Sequence, residues 1–136
     1  MISFDTNVLL YAADGRDPLK QRQAIAVLAG SGDGVTLWQV ACEYIAASRK
    51  LAARGLTPAI AWDQLHAVLG RYPLRCPAPE VLPLARSLHV DTGLSLWDAM
   101  IFASASHAGV KCMYTEDAPG VPDPLGIQVI NPFRID

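Results

Sequence analysis

The chain has 136 residues, is 51% hydrophobic and carries a net charge of −2, enough for one compact domain over residues 1–136 with a substantial core. That charge argues against binding a polyanion over a generally basic surface, so such a ligand would rest on local Arg and Lys clusters, on a second subunit, or on cations bound at an acidic site. Apolar runs such as Val40 to Ala47 are broken by Glu43 and too short to span a bilayer, and Met1 to Asp5 has no basic, apolar leader pattern, which excludes a membrane span and leads to the expectation of a cytoplasmic protein.

Ile2-Ser3-Phe4 reads as a short strand ending at Asp5, followed by a helix from Asn7 to Ala13 with Thr6 or Asn7 as cap. Asp14-Gly15-Arg16-Asp17-Pro18 stops it. Leu19 to Ala29 has helical spacing and ends in the glycine-rich turn Gly30 to Gly34, before the apolar strand Val35-Thr36-Leu37. A helix from Gln39 to Arg54 closes at Gly55. Thr57-Pro58 opens another, Pro58 to Leu69, ended by Gly70. Arg71 to Pro79, with three prolines, reads as extended. Glu80 to His89 and Ser95 to Ala108 are helices, while Val110 to Tyr114 and Ile127 to Ile130 are strands flanking the loop Ala118 to Gly126. Strands alternating with helices predict an α/β fold, a parallel sheet between helical layers, with a site at the carboxyl ends of its strands.

Four acids fall where such elements begin or end. Asp5 follows the first strand, where it is also placed to cap the next helix. Glu43 interrupts an otherwise apolar helix, and glutamate is rarely buried unless paired. Asp98 stands three residues after Ser95, a capping pattern compatible with metal binding. Asp117 follows the strand ending at Tyr114-Thr115, at a turn position. Carboxylates gathered together repel one another unless a cation or shared proton offsets them, and oxygen donors suit Mg²⁺ or Mn²⁺. Cys42, Cys76 and Cys112 are an odd number without metal-ligand spacing, and are expected as buried or semi-buried thiols.

Phe4-Asp5-Thr6-Asn7-Val8-Leu9-Leu10-Tyr11-Ala12, Leu96-Trp97-Asp98-Ala99-Met100-Ile101, Tyr114-Thr115-Glu116-Asp117 and the ending Ile130-Asn131-Pro132-Phe133 resemble the PIN-domain ribonucleases, especially the VapC-type toxins of toxin–antitoxin pairs. The resemblance covers essentially the whole chain. It implies a single PIN-like three-layer sandwich with a central, mainly parallel sheet. It also implies an acidic quartet, Asp5, Glu43, Asp98 and Asp117, binding Mg²⁺ or Mn²⁺, with Asn7 and Thr115 as polar neighbours. The implied activity is hydrolysis of RNA phosphodiester bonds, in tRNA or mRNA, to a 5′-phosphate and a 3′-hydroxyl. The chain departs from many relatives after Asp117, where Ala118-Pro119-Gly120-Val121-Pro122 is apolar.

The implied partners are an antitoxin protein and a second copy of the chain. The apolar helices with Trp38 and Trp62 offer a dimer face or an antitoxin groove, although most of their side chains suit a core. Arg16, Lys20 and Arg22, and Arg49, Lys50 and Arg54, are candidate phosphate contacts, although such runs commonly form solvated faces. A PIN-fold interaction module without catalysis is the alternative. A haloacid-dehalogenase-like phosphatase is a weaker one, since Asn7 stands where that class needs a second aspartate.

Overall fold

The computed structural model describes residues 1–30, 32–117 and 119–134. Strands β1 (Ile2–Phe4), β4 (Cys112–Tyr114) and β5 (Gln128–Ile130) form a parallel sheet in the order β1-β4-β5. Ser3 pairs with Met113, which pairs with Val129. Strands β2 (Thr36–Leu37) and β3 (Leu74–Arg75) form a second parallel pair. A bridge between Ile2 and Gly34 links the two, with Ile2 N donating to Asp33 O and Val35 N donating to Ile2 O. Six helices flank the strands: α1 (Thr6–Ala13), α2 (Pro18–Leu28), α3 (Trp38–Ser48), α4 (Pro58–Arg71), α5 (Val81–Thr92) and α6 (Leu96–His107). The parallel α/β architecture expected from the alternation of elements is the one observed.

The core explains the strand faces. Phe4, Val8, Leu37, Val40, Met113 and Ile127 are all but fully buried, each stabilising the fold by roughly 1.5–3 kcal/mol relative to exposure. Tyr72 is buried beside them, its ring edge-on to Phe4 at 5.3 Å, and its hydroxyl donates to Leu28 O at 3.0 Å. The buried hydroxyls are paired: Ser3 donates to Val35 O and Thr36 to Tyr72 O, both at 2.8 Å, which removes most of the cost of burying them. Gly34 is required where it stands, since a Cβ there would meet Tyr72 Cδ1 at 2.6 Å and Ile2 Cγ1 at 2.9 Å.

Four details differ from the sequence reading. Of the three residues read as caps for α1, Thr6 and Asn7 lie inside the helix and Asp5 makes the cap, its side chain accepting from Thr6 N. The helix from Gln39 to Arg54 is two pieces, α3 and a 3-10 turn, Arg49–Arg54, before Gly55 at φ 100°. Gly70 does not end α4, which runs to Arg71 with Tyr72 as cap. Glycine costs only about 1 kcal/mol inside a helix, and packing overrides it. Cys42 and Cys76 are exposed and Cys112 is half-buried, so only Cys112 meets the expectation of a buried or semi-buried thiol. The loops Gly30 to Gly34 and Ala118 to Gly126 each include a residue, Ser31 and Ala118, outside the described ones.

Candidate metal centre

β1 and β4 lie side by side, so residues just past them meet at one edge. Asp5 N donates to Tyr114 O at 2.8 Å, extending that pairing by one residue. The Asp5 carboxylate accepts from Thr6 N at 2.7 Å and from the Thr115 hydroxyl at 3.0 Å. It therefore both caps α1 and faces the end of β4. Helix α6 begins nearby because the Ser95 hydroxyl accepts from Asp98 N at 3.1 Å, which leaves the Asp98 carboxylate in the first turn and exposed. Asp5, Asp98 and Asp117 line one cavity of about 20 Å³, with Thr115, Pro119 and the apolar floor Ile101, Phe102 and Met113. That volume admits one water-sized guest.

Asn7 knits the edge. Its amide nitrogen donates to the Thr115 hydroxyl oxygen at 3.2 Å and to Asp117 Oδ2 at 3.4 Å, and its amide oxygen accepts from Glu116 N at 3.3 Å. Asp117 N donates back to Thr115 Oγ1 at 3.1 Å. Asn7 and Thr115 thus hold the acids in place.

Glu43 stands apart from the cavity lining. Its carboxylate accepts from the Thr6 hydroxyl at 3.0 Å and from Gln39 Nε2 at 2.8 Å, and Gln39 also reaches Trp97 O at 3.3 Å. Thr6 and Gln39 escaped the sequence reading. The Gln39/Glu43 spacing of one helical turn was the available signal.

Burial pushes the Asp5 carboxyl above the ordinary carboxylate range. The hydrogen bonds from Thr6 and Thr115 oppose the rise, and the charges of Glu43 and Asp117 add to it. None of the residues lining the cavity is basic. The carboxylate and hydroxyl donors are oxygens, a set that suits a hard divalent cation. Among the described residues, no three Asp, Glu, His or Cys side chains stand close enough to enclose a metal ion. Asp98 and Asp117 are exposed. The chemistry of the donor set fits, although the cage is not closed.

The basic candidates divide. Arg16 is committed to Asp14, its Nε donating to both carboxylate oxygens at 2.9 Å, and Lys20 pairs with Glu116. Arg22, Arg49, Lys50 and Arg54 are exposed. A groove of about 250 Å³ runs from Asn7 past Tyr11 to Arg16 and Lys50. A neighbouring one of about 290 Å³ shares Asp14, Arg16 and Leu51 with it and reaches Arg54. On another face, Trp38, Cys42, Ile45, Trp62 and Leu69 line an apolar groove of about 350 Å³ along α3 and α4.

Residues 2–118 match the PIN domain family. Among solved structures, a chain described as a toxin–antitoxin complex from Klebsiella pneumoniae superposes with a TM-score of 0.69, at 20% identity and over 98% of both chains. At that identity the likeness is one of fold. Comparison with curated proteins gives no match.

Proposed function

From the premise that this chain belongs to the PIN domain family, a family of nucleases, we propose that it is a metal-dependent endoribonuclease and the toxin of a type II toxin–antitoxin pair. The observation that carries the reading is the convergence of Asp5, Asp98 and Asp117 on one cavity at the carboxyl edge of a parallel sheet. Such a cluster costs stability, and that cost has a purpose if the acids serve a cation.

Asp5, Asp98 and Asp117 would hold Mg²⁺ or Mn²⁺, with Glu43 adding negative charge behind Asp5. When bound, such an ion lowers the pKa of a water and offsets charge on the scissile phosphate. Thr115 and Thr6 N orient the Asp5 carboxylate, and Asn7 fixes Thr115 and Asp117 relative to it. The floor of Ile101, Phe102 and Met113 keeps bulk water from beneath the acids. The strand of RNA would leave along the groove past Asn7, its phosphates meeting Lys50 and Arg54.

An antitoxin segment with apolar side chains would occupy the groove between Trp38 and Trp62; the toxin–antitoxin description of the Klebsiella pneumoniae structure supports such a partner. The protein would work in the cytoplasm, where its RNA is found, and as a homodimer. No helix among the described residues is long and apolar enough to cross a membrane.

The open cage favours a second reading, a PIN-fold interaction module without catalysis. Incubation with total cellular RNA, with Mn²⁺ or with a chelator, separates the two. Cleavage that needs Mn²⁺ and is absent from Asp5→Asn supports the nuclease. Intact RNA under every condition leaves the interaction module.

A further inference from the structure

The loop that delivers Asp117 is gripped from its outer side by residues outside the acidic site. Glu116, one position before Asp117, turns its side chain away from the cavity toward α1 and α2. It accepts from the Tyr11 hydroxyl at 2.7 Å and from the Lys20 ammonium. Lys20 also donates to the Tyr11 hydroxyl oxygen at 3.1 Å and lies 4.5 Å from the centre of the Tyr11 ring. Phe133, from the segment after β5, closes the cluster, edge-on to Tyr11 at 4.9 Å and with its ring centre 5.8 Å from the ammonium.

Two consequences follow from this arrangement. Glu116 is a carboxylate beside a site already crowded with them, and pairing with a lysine keeps it from adding to the repulsion or competing for a cation. Its backbone N–H also donates to Asn7, so the same residue is tied to the site through its main chain and to α1 and α2 through its side chain. A loop held at both faces presents Asp117 in one place, as a metal ligand requires.

We propose that Lys20, Glu116 and Tyr11 form a clamp that positions Asp117, making Lys20 a positioning residue for the metal site rather than a phosphate contact. The assignment rests on the metal-centre reading given above. The alternative use of Lys20, as a free cation for RNA, is disfavoured because its charge is already spent on Glu116 and its ammonium is stacked on an aromatic ring. Lys20 stays in place because Asp17 caps α2 by accepting from Lys20 N at 3.1 Å.

The test is Mn²⁺ binding measured by titration calorimetry, with melting temperatures recorded alongside. The proteins compared are the wild type, Lys20→Met, Glu116→Gln, Lys20→Arg and Asp98→Asn. The wild type binds Mn²⁺ and Asp98→Asn does not. Lys20→Met and Glu116→Gln bind about tenfold more weakly, the scale on which groups supporting a ligand act, with melting points within a few degrees of wild type. Lys20→Arg recovers most of the affinity. Tyr11→Phe removes one hydroxyl and gives a smaller loss in the same direction, which carries the test if Lys20→Met does not fold. Wild-type or tighter Mn²⁺ binding in Lys20→Met and Glu116→Gln overturns the clamp alone. No uptake by the wild type overturns the metal centre and the clamp with it.

Discussion

The acidic edge and the apolar groove between α3 and α4 depart from what stability favours, in opposite ways. The edge gathers like charges around a cavity of about 20 Å³, holding Asp5 half-buried against its preference for water. The groove leaves Trp38 48% and Trp62 57% exposed around about 350 Å³ of apolar space. One region would suit positive charge and the other apolar surface. The contrast teaches that a fold advertises its ligands through the kind of cost it bears, since isolated exposed hydrophobics are ordinary whereas a lined groove or a carboxylate cluster is not.

The sharpest way to break the comparison is Asp98→Asn. The Asp98 carboxylate is exposed and caps nothing, so RNA cleavage is expected to fall at least about 100-fold while the melting temperature stays within a few degrees, by cleavage assay and thermal unfolding. A large loss of stability would make Asp98 a structural residue.

Gly34→Ala asks whether the two regions share a foundation, because Gly34 sits where β1, which delivers Asp5, meets the segment leading to β2 and α3. Its Cβ would overlap Tyr72 and Ile2, and a loss of about 1–3 kcal/mol in chemical denaturation is expected. An unchanged midpoint would mean that the contact yields easily.

Trp62→Ser acts on the groove alone. The expected change in stability is within about 0.5 kcal/mol, with cleavage unaltered and antitoxin binding weakened in a pull-down. Reduced cleavage by the folded variant would merge the two regions into one site.

The smallest effect concerns pH. Burial raises the Asp5 pKa above its model-peptide value of 3.8, so the folded chain takes up the Asp5 proton more readily than the unfolded one. Ionising Asp5 therefore costs stability as pH rises through the folded pKa. With a chelator present, Asp5→Asn is expected to gain stability relative to wild type as pH rises above 3.8, read from denaturation midpoints. A constant difference would show that the carboxyl titrates as it does in the unfolded chain.

Helix and strand positions were largely legible in the sequence because capping and stop signals act over three or four residues. Thr57-Pro58 and Ser95 mark helix starts by the hydrogen bonds they make in place, and Asp17-Pro18, read only as part of a loop, starts α2 in the same way. Gly70 misled for the same reason: its local preference of about 1 kcal/mol is smaller than the burial of Leu65 and Tyr72, which stand before and after it in the chain. Asp5, Asp98 and Asp117 could be read from their positions past strands and at a helix start. Glu43 was read as a fourth metal ligand from its place in an apolar helix; its bond from Gln39 one turn away follows the helical spacing, whereas its bond from Thr6 was not foreseeable from either segment.

The sequence by itself determined the alternation of helix and strand and which acids lie at element ends, because each depends on neighbours a few residues apart; the alternation implied parallel strands, but their pairing, with Ile2 opposite Cys112, joins distant segments. Tertiary structure alone decided that Lys20 and Glu116, 96 positions apart, neutralise each other, that Asn7 spans to Asp117, and that Trp62 faces a groove. A charge has a role only in the company of the charges around it, and that company is assembled when distant segments pack.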